Sequence, residues 1–147
     1  MSTVVRLASI DDAAAICALN ARELGYAFEL SDATDALARA LKSPRDVVVV
    51  GVSSGEVVGY CHGEVYRLLY SPPMLNVLGV AVRSDCQRRG VGAALMTAIE
   101  EWGRAQGCYA IRLATGETRE GAHAFYTRMG FTISKRQLNL RKPLGPD

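Results

Sequence analysis

The residues between positions 87 and 93 have the types and spacing of an anion-binding turn. The stretch Gln87–Ala93 reads Gln-Arg-Arg-Gly-Val-Gly-Ala. It follows an apolar run, Leu75–Val82, that predicts a strand, and it opens a segment, Val91–Gln106, that predicts a helix. The first N–H groups of a helix have no intrahelical partner, and the helix dipole adds partial positive charge there. Since Gly90 and Gly92 leave room beside the backbone and the arginines supply mobile charge, we predict that this turn binds phosphate.

Two common phosphate-binding motifs are excluded by the residues present. A P-loop ends in Gly-Lys-Ser or Gly-Lys-Thr, which occurs nowhere in the chain. A dinucleotide fingerprint has a third glycine where Leu95 stands and an acidic residue about 20 positions further on, near Arg112. The turn instead resembles the Gln/Arg-x-x-Gly-x-Gly/Ala signature of the GNAT family of N-acetyltransferases, with Gln87, Gly90 and Gly92 in register. In that family the turn holds the pyrophosphate of acetyl-CoA.

A second motif lies one predicted strand and one turn beyond the first predicted helix. The segment Ala122–Phe131 is similar to the second family signature, Ala-x-x-Phe/Leu-Tyr-x-Lys/Arg-x-Gly-Phe. The resemblance implies that Tyr126 lies near the sulfur of CoA, where a phenol with an ordinary pKa of about 10 stays protonated and donates to the leaving thiolate. The family often has Asn three residues before the alanine, where this chain has Arg119. That arginine is expected either to reach a phosphate or to be solvated.

The resemblance also implies a fold and a set of contacts to the cosubstrate. The fold class is α/β, with a mixed, mostly antiparallel central sheet flanked by helices, and residues 1–147 form a single domain. Two strands splay apart beside the turn and admit the pantetheine arm, while backbone at Val80–Val82 stabilises the oxyanion. The residues expected to contact acetyl-CoA are Val80, Ala81, Val82, Gln87, Arg88, Arg89, Gly90, Val91, Gly92, Ala93 and Tyr126.

One face of a predicted strand carries candidate bases for the acceptor amine. The two-residue period after the turn Ser53–Glu56 places Tyr60, His62, Glu64 and Tyr66 on the same side. A primary amine with a pKa near 10.4 is only about one part in a thousand neutral near pH 7.4, so a base contributes about 4 kcal/mol. Glu64 is the candidate base, directly or through a water, and His62 is the alternative because histidine ordinarily titrates nearer neutrality. An exposed sheet face without function explains the same pattern.

Composition limits the class of protein and its partners. The 147 residues, 49% hydrophobic and 22% charged, are typical of one globular domain. A net charge of +2 and the lack of a long apolar run or signal-peptide pattern predict no nucleic-acid partner, no membrane span and a cytoplasmic protein. The four cysteines lack the spacing of a zinc site or a redox pair, so no metal site is predicted and free thiols are expected.

The sequence therefore predicts an enzyme that transfers an acetyl group from acetyl-CoA directly to an amine. The predicted acceptor is a small-molecule amine, and the alternative is the N-terminus or a lysine of a protein or peptide. Its site would be shaped by Tyr26, Phe28 and Glu29, by the strand face around Glu64 and by the loop Tyr70–Met74. A CoA-binding sensor without catalysis would keep Gln87–Ala93 but would not need Tyr126. Nucleic-acid binding through the basic C-terminal residues would show steep salt dependence, and a homodimer could form through a terminal strand.

The periodicity of the remaining segments predicts further elements. The expected features are a helix capped by Ser31, a buried stripe of Val91, Leu95, Ala98 and Trp102, a strand at Tyr109–Ala114, a helix at Thr118–Met129 and one or two strands within Phe131–Leu140.

Overall fold

The computed structural model describes residues 2–116 and 118–145. In these residues the chain forms five strands and four α-helices. Their order is β1 Val4–Leu7, α1 Ala13–Leu24, α2 Leu30–Lys42, β2 Asp46–Ser53, β3 Glu56–Tyr66, β4 Met74–Val82, α3 Val91–Ala105, β5 Ile111–Arg112 and α4 Glu120–Arg128. The chain divides into two compact units, the first ending at Ala114 and the second beginning at Thr115. None of the helices in the described part of the chain is both long and apolar enough to span a membrane.

The first unit contains one sheet, in which the strands lie in the order β1-β2-β3-β4-β5. The first four strands pair antiparallel, and β5 pairs parallel with β4. The hairpin between β2 and β3 turns through Ser54 and Gly55, whose φ angles of 52° and 77° are those of a tight hairpin turn. The predicted mixed, mostly antiparallel sheet flanked by helices is confirmed.

Helices α1 and α2 cover one face of the sheet. Leu19 of α1 and Leu37 of α2 are buried in one apolar cluster with Val50, Tyr60 and Ala81 of the strands. Because the side chains of a strand alternate between its faces, the neighbours of Tyr60 in β3 point to the opposite side. The apolar core on this face therefore lies over the N-terminal half of β3, which contains Tyr60.

Helix α3 covers the opposite face and approaches it closely at glycine positions. A Cβ at Gly59 of β3 would lie 3.1 Å from Val91 Cγ1, and one at Gly103 of α3 would lie 3.1 Å from Leu75 Cδ2. Adding a methyl group at such a site would require the neighbouring side chain to shift by a few tenths of an ångström. This close packing fixes the start of α3, and therefore the preceding turn, against the sheet.

The buried stripe of α3 differs from the predicted one. Beyond Val91 and Leu95, the buried residues include Ile99 and Gly103, whereas the predicted Ala98 and Trp102 are only half-buried. The reason is that Gly103 lets Leu75 of β4 pack directly on the helix backbone, and this turns the bulky indole toward the edge of the contact. Residue size, and not hydrophobicity alone, sets the rotation of the helix.

Three further expectations need correction. Helix α2 begins at Leu30 with Glu29 as its N-cap, so the predicted Ser31 cap is wrong. The fifth strand is confined to Ile111–Arg112, because only these residues pair with β4 before the two strands part. Residues 131–145 contain no strand, although apolar and polar residues alternate there. Alternation selects the faces of a strand, but a strand also needs a paired neighbour.

Candidate functional site

The turn Gln87–Ala93 lies between β4 and α3, as predicted. Arg88 has a φ of 64°, which is uncommon outside glycine, and Gly90 caps α3 with a φ of 83°. The side-chain amide of Gln87 donates to the carbonyl of Val82 over 3.2 Å, which ties the turn to the end of β4. A left-handed arginine is a small strain that the surrounding structure must hold in place, and such strain is concentrated at functional sites.

The surface of this turn is open. Arg88, Arg89 and Gly90 are exposed, and among the described residues nothing lies within 4 Å of a Cβ built at Gly90. The carbonyl of Gly90 accepts from the N–H of Ala94 over 3.0 Å, so the helical hydrogen bonds begin there. The backbone N–H groups of the first helical turn precede those bonds and face this space. An open helix N-terminus flanked by two arginines has the donors that a pyrophosphate needs.

Strands β4 and β5 separate after two paired positions. These strands pair at Leu75–Ile111 and Asn76–Arg112, after which β4 continues to Val82 without β5 beside it. The register of β4 on β3 also skips Leu78, whose side chain is 50% exposed. A bulge of this kind bends the strand and re-aims its groups. No local pattern predicts this bulge, because Leu75–Val82 reads as one continuous apolar strand.

The predicted contacts Val80, Ala81 and Val82 lie in the part of β4 that has no β5 beside it. Ala81 is buried in the core under α1 and α2, and Val80 and Val82 are half-buried. Their side chains therefore serve packing, as their apolar character indicates. If these residues contact a ligand, they do so through their backbone groups.

Glu64 belongs to a row of polar side chains that crosses four strands. Asp46 of β2 pairs with Glu64 of β3, which pairs with Asn76 of β4, which pairs with Arg112 of β5. Directly paired residues share a face of the sheet. The row thus lies on the same face as the core under α1 and α2, at the opposite end of β3.

Hydrogen bonds connect this row. Asn76 Nδ2 donates to Glu64 Oε1 over 3.2 Å, and Arg112 Nη1 donates to Asn76 Oδ1 over 2.6 Å. The guanidinium carbon of Arg112 also lies 4.8 Å from the centre of the Tyr66 ring, within the range of a cation–π contact. Sequence reasoning missed Asn76 and Arg112. The one available signal was the polar Asn76 inside an otherwise apolar strand.

The remaining members of the predicted polar face have separate surroundings. His62 Nε2 and Asp46 Oδ1 are 2.7 Å apart, with side chains 27% and 19% exposed. Tyr60 is buried, and its hydroxyl donates to Asn20 Oδ1 over 2.6 Å. Burial raises the pKa of Tyr60, because its phenolate would be poorly solvated there. The exposed-face explanation is thus wrong for Tyr60, which belongs to the core.

A cavity of about 420 Å³ opens where α1 meets α2. Its wall includes Asn20, the residue that accepts from Tyr60, and the exposed rings of Tyr26 and Phe28. Cys17 also contributes, and its thiol donates to the carbonyl of Phe28 over 3.4 Å. Two aromatic rings with a few polar groups suit an organic ligand with an apolar body. The cavity coincides with part of the predicted acceptor wall.

Tyr126 lies in the second unit, in the last turn of α4. Its ring is half-buried and makes edge contacts with Phe125 and Phe131, with ring centres 5.3 and 5.6 Å away. The N–H of Phe131 donates to the carbonyl of Tyr126 over 2.9 Å, after Gly130 has turned the chain with a φ of 95°. The residues of the second motif therefore form the C-terminal end of α4, where Phe125 and Phe131 pack against the Tyr126 ring. Arg119 is the exposed N-cap of the same helix.

Comparison with known proteins gives consistent matches. Residues 13–131 match the sequence model of the Acetyltransferase (GNAT) family. A curated relative from Stenotrophomonas maltophilia, named aminoglycoside N(6')-acetyltransferase type 1, is 29% identical over 97% of this chain and 94% of its own length. One of the same name from Klebsiella aerogenes is 27% identical over 78% of this chain and 77% of its own. The solved structure of AAC(6')-Iy with the bisubstrate analog CoA-S-monomethyl-acetylneamine covers 97% of this chain and 99% of its own, with a TM-score of 0.87 and 17% identity. This likeness confirms the predicted fold class.

Proposed function

Because this chain belongs to the acetyltransferase (GNAT) family, we propose that it acetylates a primary amine of a small, polycationic molecule of the aminoglycoside type. The chain is an N-acetyltransferase with acetyl-CoA as its cosubstrate. The observation that carries the acceptor class is the name shared by the two curated relatives, one of which matches over 97% of this chain. The aromatic-walled cavity beside α1 and the carboxylates of Asp46 and Glu64 support a cationic ligand with a ring framework.

The cosubstrate would be held by the turn and by β4. We propose that backbone N–H groups of Gly90–Ala93 bind the pyrophosphate, that Arg88 and Arg89 neutralise its charge, and that Gln87 keeps the turn on β4. Backbone groups of Val80–Val82 would face the pantetheine arm and the oxyanion. Bound acetyl-CoA supplies an acetyl group as a reactive thioester.

Glu64 is the proposed base. The acceptor amine must lose a proton to attack, and a carboxylate whose one oxygen is held by Asn76 can take that proton directly or through a water. His62 is the alternative, but one of its ring nitrogens already faces Asp46 at 2.7 Å. The hydrogen bond from Asn76 reaches Glu64 at Oε1, whereas His62 Nε2 is already engaged with Asp46, and this favours Glu64 over His62.

Tyr126 is the proposed acid. A thiol has an ordinary pKa of about 8.5, so the thiolate leaves with modest help, and a phenol of pKa about 10 can provide it. The support is the second family signature together with the ring contacts that fix the direction of the side chain. The family match runs across the boundary between the two compact units, and this supports a single acetyltransferase domain over residues 1–147.

The compartment that we propose is the cytoplasm. The thiols of all four cysteines are free, and two of them, Cys61 and Cys86, are buried. Burial raises the pKa of the Cys61 thiol to about 12, which keeps it protonated and unreactive. Free thiols of this kind suit a reducing environment.

The test is release of CoA from acetyl-CoA with neamine, with a peptide that has a free N-terminus and with a lysine peptide blocked at its N-terminus. We expect kcat/KM for neamine to exceed that for either peptide by about tenfold or more, with a mono-acetylated product in mass spectra. Glu64→Gln should lower turnover, and the remaining rate should rise further toward alkaline pH as the amine loses its proton to solvent. Preference for a peptide would contradict the acceptor class, and CoA binding without acetylation of any of the three would favour the sensor.

A further inference from the structure

We infer that Asn76, with Arg112 behind it, is a positioning residue that holds the carboxylate of Glu64 for proton transfer. The inference rests on the proposed role of Glu64 as the base. Asn76 is 8% exposed and lies directly opposite Glu64 in the sheet, with Nδ2 donating to Oε1 over 3.2 Å. A buried amide side chain inside an apolar strand weakens the core unless it is hydrogen-bonded, so its presence calls for a function.

Arg112 determines which end of the Asn76 amide faces Glu64. A guanidinium has donors and no acceptor, so Arg112 must face the amide oxygen, and its Nη1 lies 2.6 Å from Asn76 Oδ1. The opposite end of the amide is then the NH₂ group, which has only donors to offer to Glu64. An unrestrained asparagine could turn its carbonyl toward a carboxylate, where the two oxygens would repel each other. Arg112 prevents that orientation.

Arg112 is itself anchored at two points. Its guanidinium lies over the Tyr66 ring, and its backbone pairs with Asn76 where β5 meets β4. The contacts therefore form a line from Tyr66 through Arg112 and Asn76 to Glu64. This line begins at the place where β4 and β5 separate, which is also the end of the proposed cosubstrate slot. The last residues at which β4 pairs with β5 are thus the two residues that place the proposed base.

The charges around Glu64 show why it needs this support. Asp46 stands directly across from it on β2, and two carboxylates in paired positions repel each other. His62 faces Asp46, Arg112 faces Asn76, and the phenol of Tyr66 lies against Arg112. Asn76 is the group that brings a donor to Glu64 from the side away from Asp46. Its removal would leave Glu64 free to swing away from that like charge.

The test is a double-mutant cycle with steady-state kinetics and a pH–rate profile for each variant. Asn76→Leu keeps the approximate volume and removes both polar ends of the side chain. We expect it to lower kcat about tenfold, as for a lost hydrogen bond to a charged group, to leave KM for acetyl-CoA unchanged and to move the acid limb of the profile to higher pH. In the Glu64→Gln background the same substitution should have little further effect on kcat.

A second variant and a control guard against a simple loss of folding. Arg112→Gln keeps Asn76 but releases its orientation, so it should shift the acid limb in the same direction. The control is Ser53→Ala, because Ser53 is likewise buried in the sheet but belongs to a strand end away from Glu64, and its profile should match the parent. The side-chain amide resonance of Asn76 in a ¹⁵N NMR spectrum should move in both Glu64→Gln and Arg112→Gln.

The outcomes separate two kinds of failure. If Asn76→Leu lowers kcat by equal factors with and without Glu64, Asn76 does not act through Glu64 and the inference is overturned. The inference would also be overturned, whatever the activity, if the Asn76 amide resonance did not move in Glu64→Gln. If the resonance moves but Glu64→Gln turns over like the parent, the contact stands, whereas the proposed base is wrong and Asn76 has no catalytic residue to position.

Discussion

At the scale of single residues, the hydroxyl of Tyr126 is the group whose role is easiest to isolate. The ring contacts with Phe125 and Phe131 do not need the hydroxyl, so Tyr126→Phe should keep the packing of α4. We expect kcat to fall about 100-fold, the low end for general acid catalysis, because the thiolate leaves fairly well unaided. The measurement is kcat at saturating acetyl-CoA together with Kd for CoA, which should stay near the parental value.

A matched change in the same helix provides the control. Phe125→Leu removes one of the two ring contacts of Tyr126 but leaves its hydroxyl. It should lower the melting temperature and leave kcat near the parental value. An unchanged kcat in Tyr126→Phe, measured where the chemical step limits the rate, would remove Tyr126 from the mechanism.

Residues within a motif could be placed from the sequence, and residues brought together by strand register could not. Gln87, Gly90 and Tyr126 lie within short segments whose local conformation their own neighbours dictate. Asn76 and Arg112 are 36 positions apart, and they meet because β5 returns beside β4 in one particular register. A shift of one residue would put them on opposite faces of the sheet. Nothing in the local pattern of either residue reports that register.

At the scale of elements, the turn between β4 and α3 should decide whether acetyl-CoA is retained. Gly92→Asp adds a side chain and a negative charge in the first turn of α3, where the phosphates are proposed to lie. In the parent, acetyl-CoA at 100 times its Kd should stabilise the fold by about 2.7 kcal/mol. The variant should lose the corresponding rise in melting temperature.

Thr97→Asp supplies the comparison for that experiment. It places the same charge on the same helix, but at an exposed position beyond the first turn. Its melting temperature should rise with acetyl-CoA as in the parent. A Gly92→Asp variant that responds equally well would show that the phosphates are held elsewhere.

The elements themselves were predictable where a local pattern decides them. The apolar run before the turn, the hairpin at Ser54 and Gly55, and the glycine at the start of α3 all correspond to observed features. The bulge at Leu78 and the shortened β5 depend on how two distant strands fit, which periodicity does not encode. The predicted terminal strands failed for the related reason that alternation specifies a face but no neighbour.

At the scale of the whole molecule, Arg6 and Asp12 link the edge strand to the first helix. The guanidinium of Arg6 donates to both carboxylate oxygens of Asp12, over 2.8 and 3.0 Å, and the backbone N–H of Ser9 donates to the same carboxylate over 2.8 Å. The Arg6 guanidinium holds the pKa of Asp12 below its usual range. This stabilisation is present above the ordinary aspartate pKa of about 3.9 and is lost as the pH falls through the lower pKa of the folded state.

Asp12→Asn should therefore make the free energy of unfolding depend less on pH in the acid range. We expect a loss of about 1–2 kcal/mol in the free energy of unfolding at pH 7, and a much smaller loss near pH 2, where the parental carboxyl is protonated too. Urea unfolding at the two pH values measures the difference. Asp11→Asn is the control, because Asp11 is exposed in the same turn and should leave both values nearly unchanged.

The polar row of Asp46, Glu64, Asn76 and Arg112 has a consequence for selection for thermostability. One end of this sheet face is a well-packed apolar core, and the other end keeps charged and amide groups that an apolar sheet would not need. Replacing such a network by well-packed apolar residues is often neutral or stabilising. A laboratory selection for thermostability alone would favour filling this end with aliphatic side chains. The resulting protein would be more stable but would lack the carboxylate proposed as the base, and only selection for acetylation activity would keep the row.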